Sequence, residues 1–189
     1  MEKIKKLGNK PRPVTVQKIV EETPTVKTIL FKDPLCSNAE PGQFVMVWLP
    51  GLDEVPMSIS FIDANLCGIT VKNVGESTDA LHKLRSRSEF GLRGPYGKGF
   101  KIFKRTSLIV AGGVGMAPLY PLLVKLERVK VKPTVLLGAT TSSELLFYKQ
   151  LKKRLKQRLI VTTDDGSKGV KGLASDLMLG LLKENYFKS

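Results

Sequence analysis

A chain of 189 residues with 31 Lys and Arg against 17 Asp and Glu carries a net charge of +14, and 42% of it is hydrophobic. That apolar share supports one large or two small packed domains and excludes an intrinsically disordered chain. No apolar run approaches the ~18 residues of a membrane span, so no membrane role is expected.

The basic start Met1-Glu-Lys-Ile-Lys-Lys leads into Pro11 and Pro13 rather than into the apolar core of a signal peptide, so the expected location is cytoplasmic. Val14–Val20 and Thr25–Phe31 alternate apolar with polar residues, and Gln43–Leu49, Met57–Phe61 and Cys67–Lys72 continue the pattern. Turn-rich Ala39-Glu-Pro-Gly42 and Leu49-Pro-Gly51 separate these stretches. Short strands up to about Arg93, with little room for helix between them, predict a six-stranded antiparallel barrel. The one helix expected in this half is Thr78–Leu84, its first amides capped by Ser77 or Thr78.

After Gly94-Pro-Tyr-Gly-Lys-Gly99 the rhythm changes. Ser107–Ala111 is a continuous apolar run, followed by a helix pattern through Leu119, Leu122, Leu123 and Leu126. Pro133–Gly138, Ser143–Leu155, Leu159–Thr163 and Leu173–Leu182 repeat the alternation of strand and helix. Buried strands alternating with helices predict a Rossmann-like parallel sheet. The expected domains are 1–101 and 102–189, with the boundary near 100–104.

Ala111-Gly-Gly-Val-Gly-Met-Ala-Pro-Leu119 closes a strand and opens a helix. Glycines let a ligand approach the backbone, and a helix start offers amides and a positive dipole end to a phosphate. Pro118 suits the first helical turn, where its missing N–H costs little. The spacing is not a full GxGxxG, so a tight turn whose glycines serve packing alone stands beside the nucleotide reading. Pro41-Gly-Gln-Phe-Val45, Val55-Pro-Met-Ser-Ile-Ser60 and Val74-Gly-Glu-Ser-Thr-Asp79 occupy loop positions rich in backbone donors. In the last of these, a glycine before a capped helix start is a second phosphate seat.

In this order the motifs resemble the ferredoxin–NADP reductase superfamily, and within it the electron transfer subunit of dihydroorotate dehydrogenase. The matching residues are Pro41-Gly-Gln-Phe44, Pro56-Met-Ser-Ile-Ser60, Gly75-Glu-Ser-Thr78, Gly94-Pro-Tyr-Gly-Lys-Gly-Phe100, Gly112–Leu119, and Thr163-Asp-Asp-Gly-Ser167 with Gly172. The resemblance implies FAD on the barrel, its isoalloxazine near Pro56, Met57, Ser58 and Ile59 and its pyrophosphate at Gly75, Ser77 and Thr78. It implies NAD(H) over Gly112, Gly113, Gly115, Met116 and Pro118, with Gly138-Ala-Thr140 and Thr163-Asp-Asp165 lining the strand ends. It further implies a hetero-oligomer with an FMN-containing dihydroorotate dehydrogenase catalytic subunit, reached through a two-iron two-sulfur cluster, in pyrimidine biosynthesis. No side chain is assigned as an acid or base, because a flavin carries the redox chemistry.

Three departures from the family pattern stand out. Val55 occupies the place of the arginine in the family's flavin motif, which removes a bidentate phosphate donor and leaves FAD and FMN both open. Met57 stands where an aromatic is common. The family continues into a strand ending in Cys-Gly-Pro and a cysteine-rich cluster segment, whereas this sequence ends at Tyr186-Phe-Lys-Ser189, leaving a sheet edge open beside the first parallel strand. With Cys36 and Cys67 far apart in sequence and His82 the single histidine, the chain falls short of the about four ligands such a centre needs, and no iron–sulfur cluster is expected here.

The remaining residues read blandly: Cys36 and Cys67 as reduced, partly buried thiols, His82 as a surface or capping residue, Trp48 as core or barrel rim, and Asp164-Asp165 as a turn. The cations at Lys3–Lys10, Lys101–Arg105, Lys125–Lys132 and Lys149–Arg158 read first as solvated surface. Two other function classes compete with the electron-transfer reading. One is a flavin- or nucleotide-binding regulatory module without electron transfer. The other is an oligonucleotide-binding barrel, disfavoured because the barrel half lacks aromatics interleaved with basic residues and the second half would have no purpose.

Overall fold

The computed structural model describes residues 9–104 and 107–183. The basic start up to Gly8, Arg105 in the second cationic stretch, and the Tyr186–Ser189 end lie outside the described residues. The chain divides into two compact units, one ending at Phe100 and the other beginning at Lys101.

The first unit is a closed antiparallel barrel in the order β1-β2-β5-β4-β3-β6. Its strands are β1 (Arg12–Thr23), β2 (Val26–Phe31), β3 (Phe44–Trp48), β4 (Val55–Ile62), β5 (Cys67–Lys72) and β6 (Glu89–Tyr96). One side chain in two points inward, so Val14, Val16, Ile29, Phe31, Val45, Val47, Ile59, Ile69, Phe90 and Leu92 fill a single core. Phe31 and Phe90 meet edge to face in it, ring centroids 5.3 Å apart. Both cysteines are in this core. They are free thiols, fully rather than partly buried, because Cys36 and Cys67 face inward from neighbouring elements. Hydrogen bonding to Cys67 and burial, with the Asp33 carboxylate nearby, push the Cys36 thiol far above its ordinary value. Trp48 instead sits on the outer face, 41% exposed, its ring packed over Gly91, where an added Cβ would come within 2.8 Å of it.

A single helical turn unforeseen in the sequence, α1 (Pro34–Ser37), follows β2. Asp33 caps it, accepting from the Cys36 N–H at 2.8 Å, and is clamped by Arg12 through Nε at 2.6 Å and Nη2 at 2.8 Å. Arg12 Nη2 also donates to the Gly94 carbonyl, so one guanidinium joins β1, α1 and the end of β6. Burial alone would raise the Asp33 carboxyl, but the Arg12 and Cys36 bonds outweigh it and hold the group below its ordinary value. A carboxyl lowered in the native state stabilises fully above its ordinary value of about 4, and that stabilisation is lost as pH falls through the native value. Acid unfolding followed by circular dichroism is therefore expected to begin below about pH 4 and to flatten in Asp33→Asn, which is less stable at neutral pH. An unchanged acid limb in the variant counts against this clamp.

The helix α2 (Glu76–Lys83) plugs one barrel end by burying Leu81 in the core. It begins two residues earlier than the pattern implied, and neither Ser77 nor Thr78 occupies the cap position. That position is Gly75, which has no side chain to offer. Thr78 reaches back instead, its hydroxyl accepting from the Val74 and Gly75 N–H groups at 2.9 Å. His82, on the same helix, holds the Val71 carbonyl through Nε2 at 2.8 Å.

The second unit is a parallel sheet in the order β10-β9-β8-β7, formed by β7 (Leu108–Gly112), β8 (Thr134–Ala139), β9 (Leu159–Thr163) and the two-residue β10 (Val170–Lys171). Its helices are α3 (Met116–Arg128), α4 (Tyr148–Leu155) and α5 (Ala174–Lys183). The pattern placed the middle helix from Ser143, but only a short 3-10 turn forms at Ser142–Glu144. Leu145 and Leu146 are drawn into the core, and Phe147 turns into the left-handed region at φ 57° before α4 can start. Among the described residues the strand β7 lies at one edge of this sheet.

Candidate functional site

Strand β4 changes partners midway. Val55–Ser58 pair only with β3, Ile59–Ile62 only with β5, while Thr70–Lys72 of β5 pair only with β2. A seam without ladder bonds therefore runs between the first half of β4 and the second half of β5. The Ile59 N–H bonds the Gln43 carbonyl of the segment leading into β3, at 3.1 Å. By antiparallel alternation the Ser58 N–H and the Pro56 and Ser58 carbonyls then point away from β3, into the seam. Proline is tolerated mid-strand at Pro56 for the same reason, since its nitrogen faces no partner. The seam is thus a ledge of backbone donors and acceptors.

The four residues expected on this strand divide between its faces. Pro56 and Ser58 are exposed, Met57 is half-buried against the core, and Ile59 is fully buried, offering a ligand only its backbone. At its lower end the seam meets α2, where a narrow crevice is lined by Val47, Leu49, Leu52, Asp53, Val55, Ser77 and Leu81. Val55 and Ser77, remote in sequence, are therefore neighbours. The start of α2 carries no side-chain cap, and a Cβ added at Gly75 would meet nothing within 4 Å. Open space beside a helix start is the setting in which its amides and positive dipole end receive a phosphate.

In the second unit Gly112, Gly138 and Thr162 stand in register at the carboxyl ends of β7, β8 and β9. Ligands of open α/β sheets bind outside this edge. Gly113–Gly115 form a 3-10 turn that passes into α3 with no side-chain cap, and Pro118 lies in the first turn as expected. A Cβ added at Gly112, Gly113 or Gly115 would meet nothing within 4 Å. Packing therefore does not require these glycines, and only Gly113, at φ 51°, is held by its conformation. Gly138 is the contrast: a Cβ there would lie 2.8 Å from that of Ala174 at the start of α5. Met116 is fully buried, so its backbone is what it presents to the edge.

The loops beyond the edge are stitched together. Asp164 and Asp165 donate their N–H groups to the Ala139 and Thr140 carbonyls, and Ser142 donates its N–H to the Ser167 hydroxyl. The Asp165 carboxylate accepts from the Ser167 hydroxyl at 2.6 Å and N–H at 2.9 Å, which hold it below its ordinary value and make the pair a turn. Among the described residues no group of three or more His, Cys, Asp and Glu is placed to hold a metal ion. No helix among them is long and apolar enough to cross a membrane.

Two of the six motifs serve each other. Phe100 donates its N–H to the Pro41 carbonyl and rests on Gly42, and Gln43 Nε2 donates to the Gly97 carbonyl at 3.0 Å. Sequence reasoning missed the ion pair between Arg93 and Glu54, in which both carboxylate oxygens meet one guanidinium immediately before Val55. It also missed a cavity of about 520 Å³ lined by Pro34, Leu35, Asn38, Gln43, Pro95 and Tyr96.

No family model matches the chain. It is 44% identical over 169 residues to a probable dihydroorotate dehydrogenase B (NAD(+)) electron transfer subunit of Methanocella arvoryzae, covering 89% of this chain and 63% of that protein. Its identity to the protein of the same description from Methanothermobacter thermautotrophicus is 42%, over 94% of this chain and 66% of that one. The chain thus spans a little under two thirds of these relatives' length. Among solved structures, an NADH-dependent reduced ferredoxin–NADP oxidoreductase superimposes with a TM-score of 0.82 at 30% identity, over 91% of this chain and 64% of that one. The flavohem-like FAD/NAD binding domain of a Vibrio cholerae nitric oxide dioxygenase superimposes with a TM-score of 0.78 at 20% identity, over 86% and 78%. The chain is therefore related in sequence to the electron transfer subunits of dihydroorotate dehydrogenase B, and its two units have the ferredoxin–NADP reductase-like fold.

Proposed function

We propose that this chain is the electron-transfer part of an NAD-linked flavoprotein oxidoreductase of the dihydroorotate dehydrogenase type, exchanging electrons with an FMN-containing catalytic subunit. The observation that carries the reading is the open space over Gly75, Gly112 and Gly115, glycines that neither packing nor a positive φ demands. A side chain there would cover the amides of two uncapped helix starts, one in each unit.

The residues present fit FAD in the first unit. Its pyrophosphate would be held by the start of α2 at Gly75, Ser77 and Thr78, and its ring would lie along the seam at Pro56, Met57 and Ser58. A polar ring edge would find the Ser58 N–H and the Pro56 carbonyl without disturbing a ladder bond. NAD(H) would be held at Gly112–Pro118. A bound flavin supplies the chemistry, exchanging electron pairs with nicotinamide and single electrons with other acceptors. The protein contributes binding and orientation. Cys36 and Cys67, buried in the core, are given no ligand role.

One departure favours the regulatory reading: without an arginine at 55, the crevice beside Ser77 contains Asp53 and no cation. The two readings separate experimentally. Protein purified without added cofactor is expected to be yellow and to release stoichiometric FAD on chromatography, and NADH is expected to bleach that spectrum. Absence of flavin even after reconstitution with FAD and FMN overturns the electron-transfer reading, and FAD that NADH cannot reduce leaves the regulatory one.

A further inference from the structure

The edge of the second unit opposite the glycine turn, where β8 and β9 begin, gathers the ends of α3 and α4. Both helices run out into lysines in the left-handed region, Lys130 at φ 64° and Lys156 at φ 55°. Arg128, Lys130, Lys132, Lys153 and Lys156 are all exposed, and none makes an ion pair among the described residues. The single carboxylate in the two segments 125–132 and 149–158 is Glu127. It is taken up by Arg154 at 2.6 Å and Arg158 at 3.7 Å.

Cations at helix ends have an ordinary explanation in the dipole, but its size is insufficient here. Each helix end presents about half an elementary charge, so two ends call for about one cation. Among the described residues five cations without an ion pair remain at this edge, where they repel each other. We propose that this edge is a docking surface for an acidic protein.

The chemistry of the cations selects protein carboxylates over nucleic acid. Arginine forks are the groups that clamp phosphates in two-pronged fashion. Here Arg154 is turned to Glu127, and Arg158 is turned to Glu127 and to the Pro133 carbonyl at 2.8 Å. What stays free is mostly lysine, a point charge suited to scattered carboxylates. Exposed Val129, between Arg128 and Lys130, adds an apolar contact. Nearby rings are occupied elsewhere, Tyr120 with Phe147 and Tyr148 under Lys168, so no stacking platform for bases is offered. The surface lies across the sheet from Gly112–Pro118, and a partner seated on it leaves the nucleotide edge clear.

The test compares charge reversals of equal size at two places on the full chain. Arg128→Glu with Lys130→Glu and Lys156→Glu alters this edge, while Lys10→Glu with Lys18→Glu and Lys32→Glu alters exposed lysines of the first unit. Binding of a polyglutamate peptide, read by fluorescence anisotropy at low and moderate salt, is expected to fall about tenfold or more in the first variant and less than about twofold in the second. Equal losses in both variants, or no binding at all, overturn the proposal. A DNA duplex of matched charge that binds more tightly than the peptide, and through the same residues, overturns it in favour of nucleic acid.

Discussion

Val55→Arg is expected to tighten FAD binding by about tenfold, measured by the quenching of flavin fluorescence on titration. Residue 55 lines the crevice that Ser77 shares, at the foot of the β4 seam and next to the uncapped start of α2. A guanidinium there reaches the place where a phosphate would be held by backbone amides alone. Hydrogen bonds to charged groups contribute about 1.5–3 kcal/mol each, which corresponds to roughly tenfold to hundredfold in affinity. The lower end is expected because Asp53 lines the same crevice and competes for the new cation. Unchanged FAD affinity in a folded Val55→Arg protein rejects this placement of the pyrophosphate.

Gly115→Leu is expected to leave the fold as stable as before while weakening NADH about a hundredfold, the cost of about two charge-assisted amide bonds. The first half of this expectation follows from the backbone. Gly115 has φ −60° and ψ −18°, ordinary helical values, and a Cβ there meets no neighbour within 4 Å. These are angles that an L residue adopts without strain. The second half follows from where the side chain must go, over the amides of the turn. Thermal unfolding and an NADH titration read the two halves separately. Gly138→Ala supplies the opposite signature, because its new methyl group collides with Ala174 and overpacking of this kind costs about 1–3 kcal/mol. A Gly115→Leu protein that binds NADH normally places the nucleotide elsewhere; one that unfolds early shows that the glycine serves packing after all.

Much of the fold is legible because periodicity reports burial. Alternation marked most of the barrel strands, and the continuous apolar runs at 107–111, 133–138 and 159–163 marked buried parallel strands. What escaped is local geometry that periodicity does not encode. The turn α1 rests on the Asp33 cap and its Arg12 clamp, a contact between residues 21 apart in sequence. The late start of α4 reflects one left-handed residue, Phe147, held by the burial of the leucines before it. Among the candidate site residues, the motifs gave the positions but not which atoms they present. Ile59 and Met116 offer only backbone, Thr78 ties its own helix start together, and Gly75 is open because its neighbours stand clear. The value of Val55 as a place to intervene comes from its nearness to Ser77, a relation only the folded chain displays.

The two sheets differ in how far along the chain their partners lie, and this orders their assembly. In the second unit β7 pairs β8 and β8 pairs β9, each strand meeting the next one made. The barrel closes only when β1 finds β6, with Arg12 opposite Leu92, about 80 residues on. Distant pairings form slowly because the entropy of closing the loop is lost before any contact compensates for it. The closing pair of the barrel, β1 with β6, is therefore expected to form after the pairs between neighbouring strands.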